Sequence, residues 1–325
     1  MNEERKLIVS SSPHIRTPRD TRAIMMDVLI ALAPALVIGV IVFGFNALLV
    51  TAISVASCEL FEYGYRKLMK KPGGIGDLSA AVTGVLMAFC MPPTAPWWLP
   101  IIGAFFAIVL VKQLFGGIGK NFLNPALAGR AFMLASYAVL MTTWAPSKLQ
   151  QGVDLATYAT PLASLSSGTL ASDSVVNMFL GNIGGCIGEV SALALLLGGA
   201  YLVYRKVISL RIPVMYIGTV AVLTLIFSRG NNNLTWMLQN LFGGGLMLGA
   251  IFMATDYCTS PVTPNGQIIF GVGCGLLTVL IRYFGSYPEG VSYAILIMNL
   301  TVWMIDKATA PRRFGVMKKS KKEGA

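Results

Sequence analysis

Residues 84–96, Gly84-Val-Leu-Met-Ala-Phe-Cys-Met-Pro-Pro-Thr-Ala-Pro96, recur in altered form as Gly249-Ala-Ile-Phe-Met-Ala254 followed by Pro261-Val-Thr-Pro264. In both places a Gly-led apolar run ends at a Pro-x-x-Pro step. Each is followed by an apolar block and then a Pro-led segment, Pro125-Ala-Leu-Ala-Gly-Arg-Ala131 in one half and Pro288-Glu-Gly-Val-Ser-Tyr-Ala294 in the other. The recurrence predicts two copies of one unit. An odd number of spans per copy gives the copies opposite topology. Paired short spans interrupted by Gly and Pro are the sequence sign of a binding site near the bilayer midplane. Chance similarity between Gly/Ala/Pro-rich membrane segments is the competing explanation.

The composition demands a membrane frame. Of 325 residues 55% are hydrophobic and 12% charged, where soluble domains carry about 25% charged residues. Mean hydropathy is +0.69. The apolar residues fall in blocks of about 20, the length that crosses a hydrocarbon core. The blocks are 24–45, 46–69, a short one at 77–91, 97–115, 125–144, 186–206, 211–227, 234–254, 267–284 and 290–305. The expected fold is therefore all-α and integral to the membrane, with about ten transmembrane helices in two inverted five-helix repeats.

The division that follows is a polar arm at 1–22, a first membrane repeat at 23–144, and a polar loop at 145–182. A second membrane repeat at 183–306 and a basic tail at 307–325 complete it. No cleavable leader is expected, since a charged stretch precedes the first block and that block is long enough to span. Lys and Arg cluster between blocks on one side, at Arg66 to Lys71, Lys120 and Arg205 to Arg211, and in the tail. By the positive-inside rule both termini are cytoplasmic. The 145–182 loop follows an odd number of spans and is expected outside the cytoplasm. The net charge of +11 is explained by the same rule, and no nucleic acid is expected as a partner.

Metal chemistry is poorly served. The cysteines Cys58, Cys90, Cys186, Cys258 and Cys274 form no C-x-x-C pair, and the single histidine, His14, sits in the arm. A redox role would need an organic cofactor or a partner's metal. Ionisable residues inside the blocks need reasons. Glu62 and Arg66 are spaced to pair on one helix face, Asp27 and Asp306 lie near block ends within reach of headgroups, and Lys112 can snorkel. Arg130 lies just inside a block that opens Asn121-Phe-Leu-Asn124-Pro125, where free backbone N–H groups can receive a polar ligand edge. An ordinary Asn-Pro helix start is the alternative there. Asp256 is read as a coupling carboxylate or a cap. In the 145–182 loop, Gln151 to Leu165 offers Asp154, Thr157 and Thr160, with Thr160 an exposed hydroxyl open to esterification by a phosphate. Caps and turns are the ordinary use of such residues.

Four stretches together carry a resemblance. They are Ser12-Pro13-His14-Ile15, Met26-Asp27-Val28, Asn121-x-x-Asn124-Pro125-Ala126 with Gly129-Arg130, and Asp154-x-x-Thr157-x-Ala159-Thr160-Pro161-Leu162. From arm to tail the chain resembles the RnfD subunits of the Rnf ion-translocating ferredoxin:NAD oxidoreductases, a family related to the NqrB subunits of the sodium-pumping NADH:quinone reductases. The resemblance implies a urea-transporter-like fold of ten helices in two inverted repeats. It implies FMN bound covalently through its phosphate to a threonine in Asp-x-x-Ser-Gly-Ala-Thr, where Thr160 matches the acceptor; this chain has Thr157 and Tyr158 in place of the Ser and Gly. It also implies a non-covalent riboflavin, with Asn121 and Asn124 matching the stretch associated with it.

The function implied is that of a flavin-carrying membrane protein within a redox-driven pump. It would pass electrons between ferredoxin and NAD while Na+ or H+ crosses a bacterial or archaeal cell membrane. The implied partners are iron–sulfur and flavin subunits of one complex, with the lipid membrane. No catalytic or metal-binding residue is expected in this chain alone. A permease for a small polar solute on the same fold is the alternative, since fold does not fix function.

Overall fold

A computed structural model of the chain describes residues 20–70, 76–144, 160–230, 232–285 and 289–311. Most of the arm, most of the basic tail, and Asp154 and Thr157 lie outside the described residues. Among those described, the chain is all helical. Helix α1 (Thr21–Phe43) starts where the Asp20 carboxylate accepts from the Ala23 N–H at 3.1 Å, an ordinary N-cap. It stops at Gly44, whose φ of 82° only glycine adopts cheaply, and α2 (Phe45–Leu68) leaves at once. Helix α3 (Ser79–Phe89) is short and nearly wholly buried. Helix α4 (Trp98–Gln113) becomes a π-helix from Phe105 onward. Asn124 caps α5 (Pro125–Ser136) by accepting from the Ala126 and Leu127 N–H groups, with Pro125 in the first turn. A break at Tyr137 then separates α6 (Ala138–Met141).

Two short helices, α7 (Pro161–Ser166) and α8 (Val175–Leu180), lead to α9 (Ala192–Tyr204) and α10 (Arg211–Ile226). Helices α11 (Asn233–Phe242) and α12 (Leu246–Met253) are one apolar stretch bent by 62°. The bend falls at Gly243–Gly245, with Gly244 at φ 67°. Helices α13 (Pro264–Phe284) and α14 (Val291–Thr309) close the bundle.

Four described helices are long and apolar enough to cross a membrane: α1, α2, α13 and α14. The bent pair α11 and α12 makes a fifth if counted as one span, and α3, α4, α9 and α10 are shorter apolar helices. The break expected at Gly243–Gly245 in block 234–254 is present. Two other expected blocks are corrected: block 125–144 is interrupted at Tyr137, and block 186–206 becomes helical only at Ala192. Residues 187 and 188 instead donate their N–H groups to the Met91 and Phe89 carbonyls, at 3.0 Å each.

Packing comes in matched pairs. Helix α1 packs on α9, and α5 on α14. Helix α2 contacts α3 and α4, as α10 contacts α12 and α13. Helix α3 touches α5, as α12 touches α14. The α1–α9 contact depends on Gly198, where an added Cβ would stand 2.1 Å from the Ala31 carbonyl oxygen. Backbone cannot yield as a side-chain tip can, so Gly198→Ala is expected to cost about 1–3 kcal/mol as overpacking and to cut the yield of monodisperse protein. Gly64→Ala, where an added Cβ meets open space, is the matched control. Size-exclusion profiles of the two variants check this.

One end of the bundle is strongly basic. There the Asp27 carboxylate accepts from Tyr201 and Arg205, the Tyr257 hydroxyl reaches the Val207 carbonyl, and Thr263 meets Thr309. These contacts bring the start of α1 together with the ends of α9 and α14. Asp27 is therefore buried in a pair rather than directed to headgroups. Arg66, Lys67, Lys206, Arg211 and Lys307 belong to this end, while α7, α8 and Arg229 lie at the other.

Candidate functional site

Two cavities, one near each end of the bundle, contain the residues singled out from sequence. At the basic end a cavity of about 810 Å³, its open mouth included, is lined by Asn121, Asn124, Ser79, Lys112 and Asp256, with apolar walls from α1 and Phe252. Asn124 does two jobs there. Its Oδ1 caps α5, and its Nδ2 donates to the Met253 carbonyl at 3.1 Å, tying α5 to the end of α12. Asn121 donates to the Leu123 carbonyl at 3.1 Å. Asp256 accepts from the Thr259 hydroxyl at 3.0 Å and so caps a turn, while also facing this cavity.

The floor of the asparagine cavity is a charge cluster. Lys112 does not snorkel: it is buried, with Nζ 2.7 Å from Glu62 and 2.6 Å from the Ser79 hydroxyl. Glu62 also receives Arg66 at 2.6 Å and the Gln113 amide at 3.0 Å. The expected Glu62–Arg66 pair is thus present, inside a larger network that reaches Asp77 through Arg66 at 3.4 Å. Asp77 precedes α3. Burial alone would raise its pKa, but hydrogen bonds from the Ser79 hydroxyl and N–H, with Lys112 and Arg66, hold the carboxyl below the usual range.

The second cavity, about 340 Å³ with its mouth included, is lined by Thr160, Trp144, Gly184, Gly185, Cys186 and Glu289, among others. Thr160 is not the fully exposed loop hydroxyl that sequence implied. It is half-buried and caps α7, accepting from the Ala163 N–H at 3.4 Å. Beneath it, Arg130 pairs with Glu289 and donates to Ser292. Arg130 therefore serves the threonine cavity, not the asparagine one: the helix start and the arginine are two sites rather than one. Cys186 and Glu189 bring their ligand atoms within 4.8 Å of that of Glu289, 100 positions further along the chain. Arg130 already pairs with Glu289, and the Cys186 thiol is directed at the Cys90 carbonyl at 3.3 Å.

Two residues escaped the sequence reading. Arg282 is buried and donates to the Asn240 and Gly243 carbonyls, the loose end of α11. Glu189 lies across the same break, 2.3 Å from where a Cβ on Gly245 would stand. The Gly243–Gly245 run was the signal: a helix break inside a membrane needs partners for its freed backbone groups.

Helices α3 and α12 join the cavities. Helix α3 begins at Ser79 in the asparagine cavity and ends at Cys90 against Cys186. Helix α12 runs the other way, from Gly245 beside Glu189 to Phe252 in the asparagine cavity. The 11 residues of α3 rise ~16 Å, which sets the scale of the separation.

Against known families, residues 8–315 match the NQR2, RnfD, RnfE family. The chain belongs to that family. The match spans both cavities and both helices that join them. A relative from Acetobacterium woodii, the D component of a Na(+)-translocating ferredoxin:NAD(+) oxidoreductase complex, is 51% identical over 325 residues, 99% of each chain. The D component of a proton-translocating ferredoxin:NAD(+) oxidoreductase complex, from Clostridium ljungdahlii, is 45% identical over 318 residues, 94% of this chain and 96% of the relative. The D component of an ion-translocating oxidoreductase complex, from Actinobacillus succinogenes, is 36% identical over 345 residues, with 94% and 97% covered. The resemblance read from the four sequence stretches is thereby borne out. Family members at this distance carry names that differ in the ion moved.

Proposed function

We propose that this chain is the flavin-carrying membrane subunit of an ion-translocating oxidoreductase complex, with FMN esterified to Thr160 and riboflavin held without a covalent bond in the asparagine cavity. One observation supports this most directly: Thr160 and Asn121–Asn124 stand at separate cavities, and α3 leads from Ser79 of the asparagine cavity to Cys90, whose carbonyl meets Cys186 of the threonine cavity. The Thr160 hydroxyl is at the rim, and an added Cβ at neighbouring Gly185 would meet nothing within 4 Å, so there is room beside it for a phosphate. The amides of the asparagine cavity, with Lys112, are groups that can hold the polar edge of a flavin. Bound flavins would supply reversible electron acceptance; the chain's residues hold them at fixed separation and set the local charge. The other subunits, including iron–sulfur and flavin proteins, exchange electrons with these sites.

The repeat reading belongs here too. Pairing α1 with α9, α2 with α10, α3 with α12, α4 with α13 and α5 with α14 reproduces the matched contacts, which supports two inverted five-helix units of the urea-transporter kind. The basic end supports cytoplasmic termini by the positive-inside rule. Thr160 then faces away from the cytoplasm.

Made together with a flavin transferase, wild type is expected to carry a fluorescent band after denaturing electrophoresis and a mass increase matching one FMN. Thr160→Ala should lose both, and Thr160→Ser should retain part. Fluorescence persisting in Thr160→Ala removes Thr160 as acceptor. Absence from wild type favours a permease for a small polar solute, a reading supported by half-length helices meeting inside the bundle.

A further inference from the structure

Outside both cavities, a groove runs along the lipid-facing side between α9 and α10. It encloses about 1290 Å³, its open side included, and its walls are almost entirely apolar. Small residues, Gly199, Ala200 and Gly218, keep it open, and Ile251 of α12 forms its floor.

At the basic end the groove opens onto the α9–α10 connection. The loop carries Arg205, Lys206 and, at the start of α10, Arg211. Arg205 is neutralised by Asp27 at 3.3 Å. Lys206 and Arg211 are both exposed, and among the described residues Arg211 meets a neutral amide, Gln267, at 3.4 Å. Two positive charges thus remain at the mouth of an apolar furrow. Lys206 also holds a φ of 55°, a backbone state in which glycine would be less strained. Tyr204 stands 84% exposed beside it, as aromatic residues do at the membrane interface.

We infer that this is a binding site for one anionic phospholipid, its headgroup between Lys206 and Arg211 and an acyl chain lying in the groove against Ile251. Basic pockets between transmembrane helices favour anionic headgroups, at roughly 1 kcal/mol per basic residue near the surface. An acyl chain matches the lining, which offers it no polar partner. The choice of lipid over a neighbouring protein helix rests on charge: the site needs a negative group at one end and only hydrocarbon along the rest. Ile208 lines the groove and the asparagine cavity alike, so the bound lipid would rest on a wall of the cofactor site. The inference stands on helix packing and charge and is independent of the flavin reading.

The test is native mass spectrometry of the full chain, purified in mild detergent with whatever subunits accompany it, during titration with phosphatidylglycerol or phosphatidylcholine. Wild type is expected to retain one phosphatidylglycerol and to prefer it at least tenfold. Lys206→Gln with Arg211→Gln should abolish the preference. Gly218→Leu should weaken retention of either lipid, because an added Cβ there meets open space and the larger side chain fills the groove without disturbing its walls. Equal retention of the two lipids by wild type overturns the inference. So does an unchanged preference in the charge variant, or a crosslink from Val214→Cys to a helix of another subunit.

Discussion

Glu62→Ala is expected to lower the melting temperature more than any other change in the basic half of the molecule. Glu62 is the hub of its cluster: it receives Lys112, Arg66 and Gln113 and is itself buried. Its removal leaves Lys112 buried with the Ser79 hydroxyl as its remaining direct partner among the described residues, and breaking a buried ion pair costs about 3–5 kcal/mol. Lys112→Met should be milder, since Glu62 keeps Arg66 and Gln113. The double variant Glu62→Leu with Lys112→Met should recover much of the loss, because a buried ion pair replaced by apolar groups of similar volume is often neutral. This non-additivity is the diagnostic result. Melting curves in detergent measure it, and a Glu62→Ala protein that melts with wild type would mean that water reaches Lys112.

Arg282→Met is the second large effect. Two carbonyls at the bend, Asn240 and Gly243, depend on this one guanidinium. Hydrogen bonds to a charged group contribute about 1.5–3 kcal/mol each, so roughly 3 kcal/mol or more is at stake. Arg282→Lys should sit between, since an ammonium lacks the planar fork that reaches both carbonyls. The loss should be local. Cys186 lines the threonine cavity with Gly244 and is wholly buried. With Cys258 removed, maleimide labelling of Cys186 is expected to be negligible in wild type and to rise in Arg282→Met. Unchanged labelling would show that the bend holds without the arginine.

Much of this architecture was readable before any coordinates. Hydropathy located the helices, because a bilayer leaves so few ways to satisfy a backbone. The Pro-x-x-Pro recurrence located α3 and α12, because the same backbone problem recurs wherever a helix stops short. Asn124 reads as a ligand-edge residue or, alternatively, as an ordinary helix start; it caps α5 and also lines a cavity. What sequence could not convey was depth. Lys112 read as a snorkelling residue because its partner, Glu62, lies 50 positions away. Arg130 read as a neighbour of Asn121 along the chain, yet its side chain is committed to Glu289 and Ser292 from the other half. Glu189 and Arg282 went unnoticed for the same reason: each matters only where two distant segments meet at a glycine break.

The opposed directions of α3 and α12 have an electrical corollary. Each short helix presents its partly positive start to one chamber and its partly negative finish to the other, but in reverse order. Summed along the line between the chambers, the two backbone fields offset each other. If the proposed flavins occupy the two chambers, the scaffold would be close to a level road for an electron passing between them, and the sense of travel would fall to the side chains at either end.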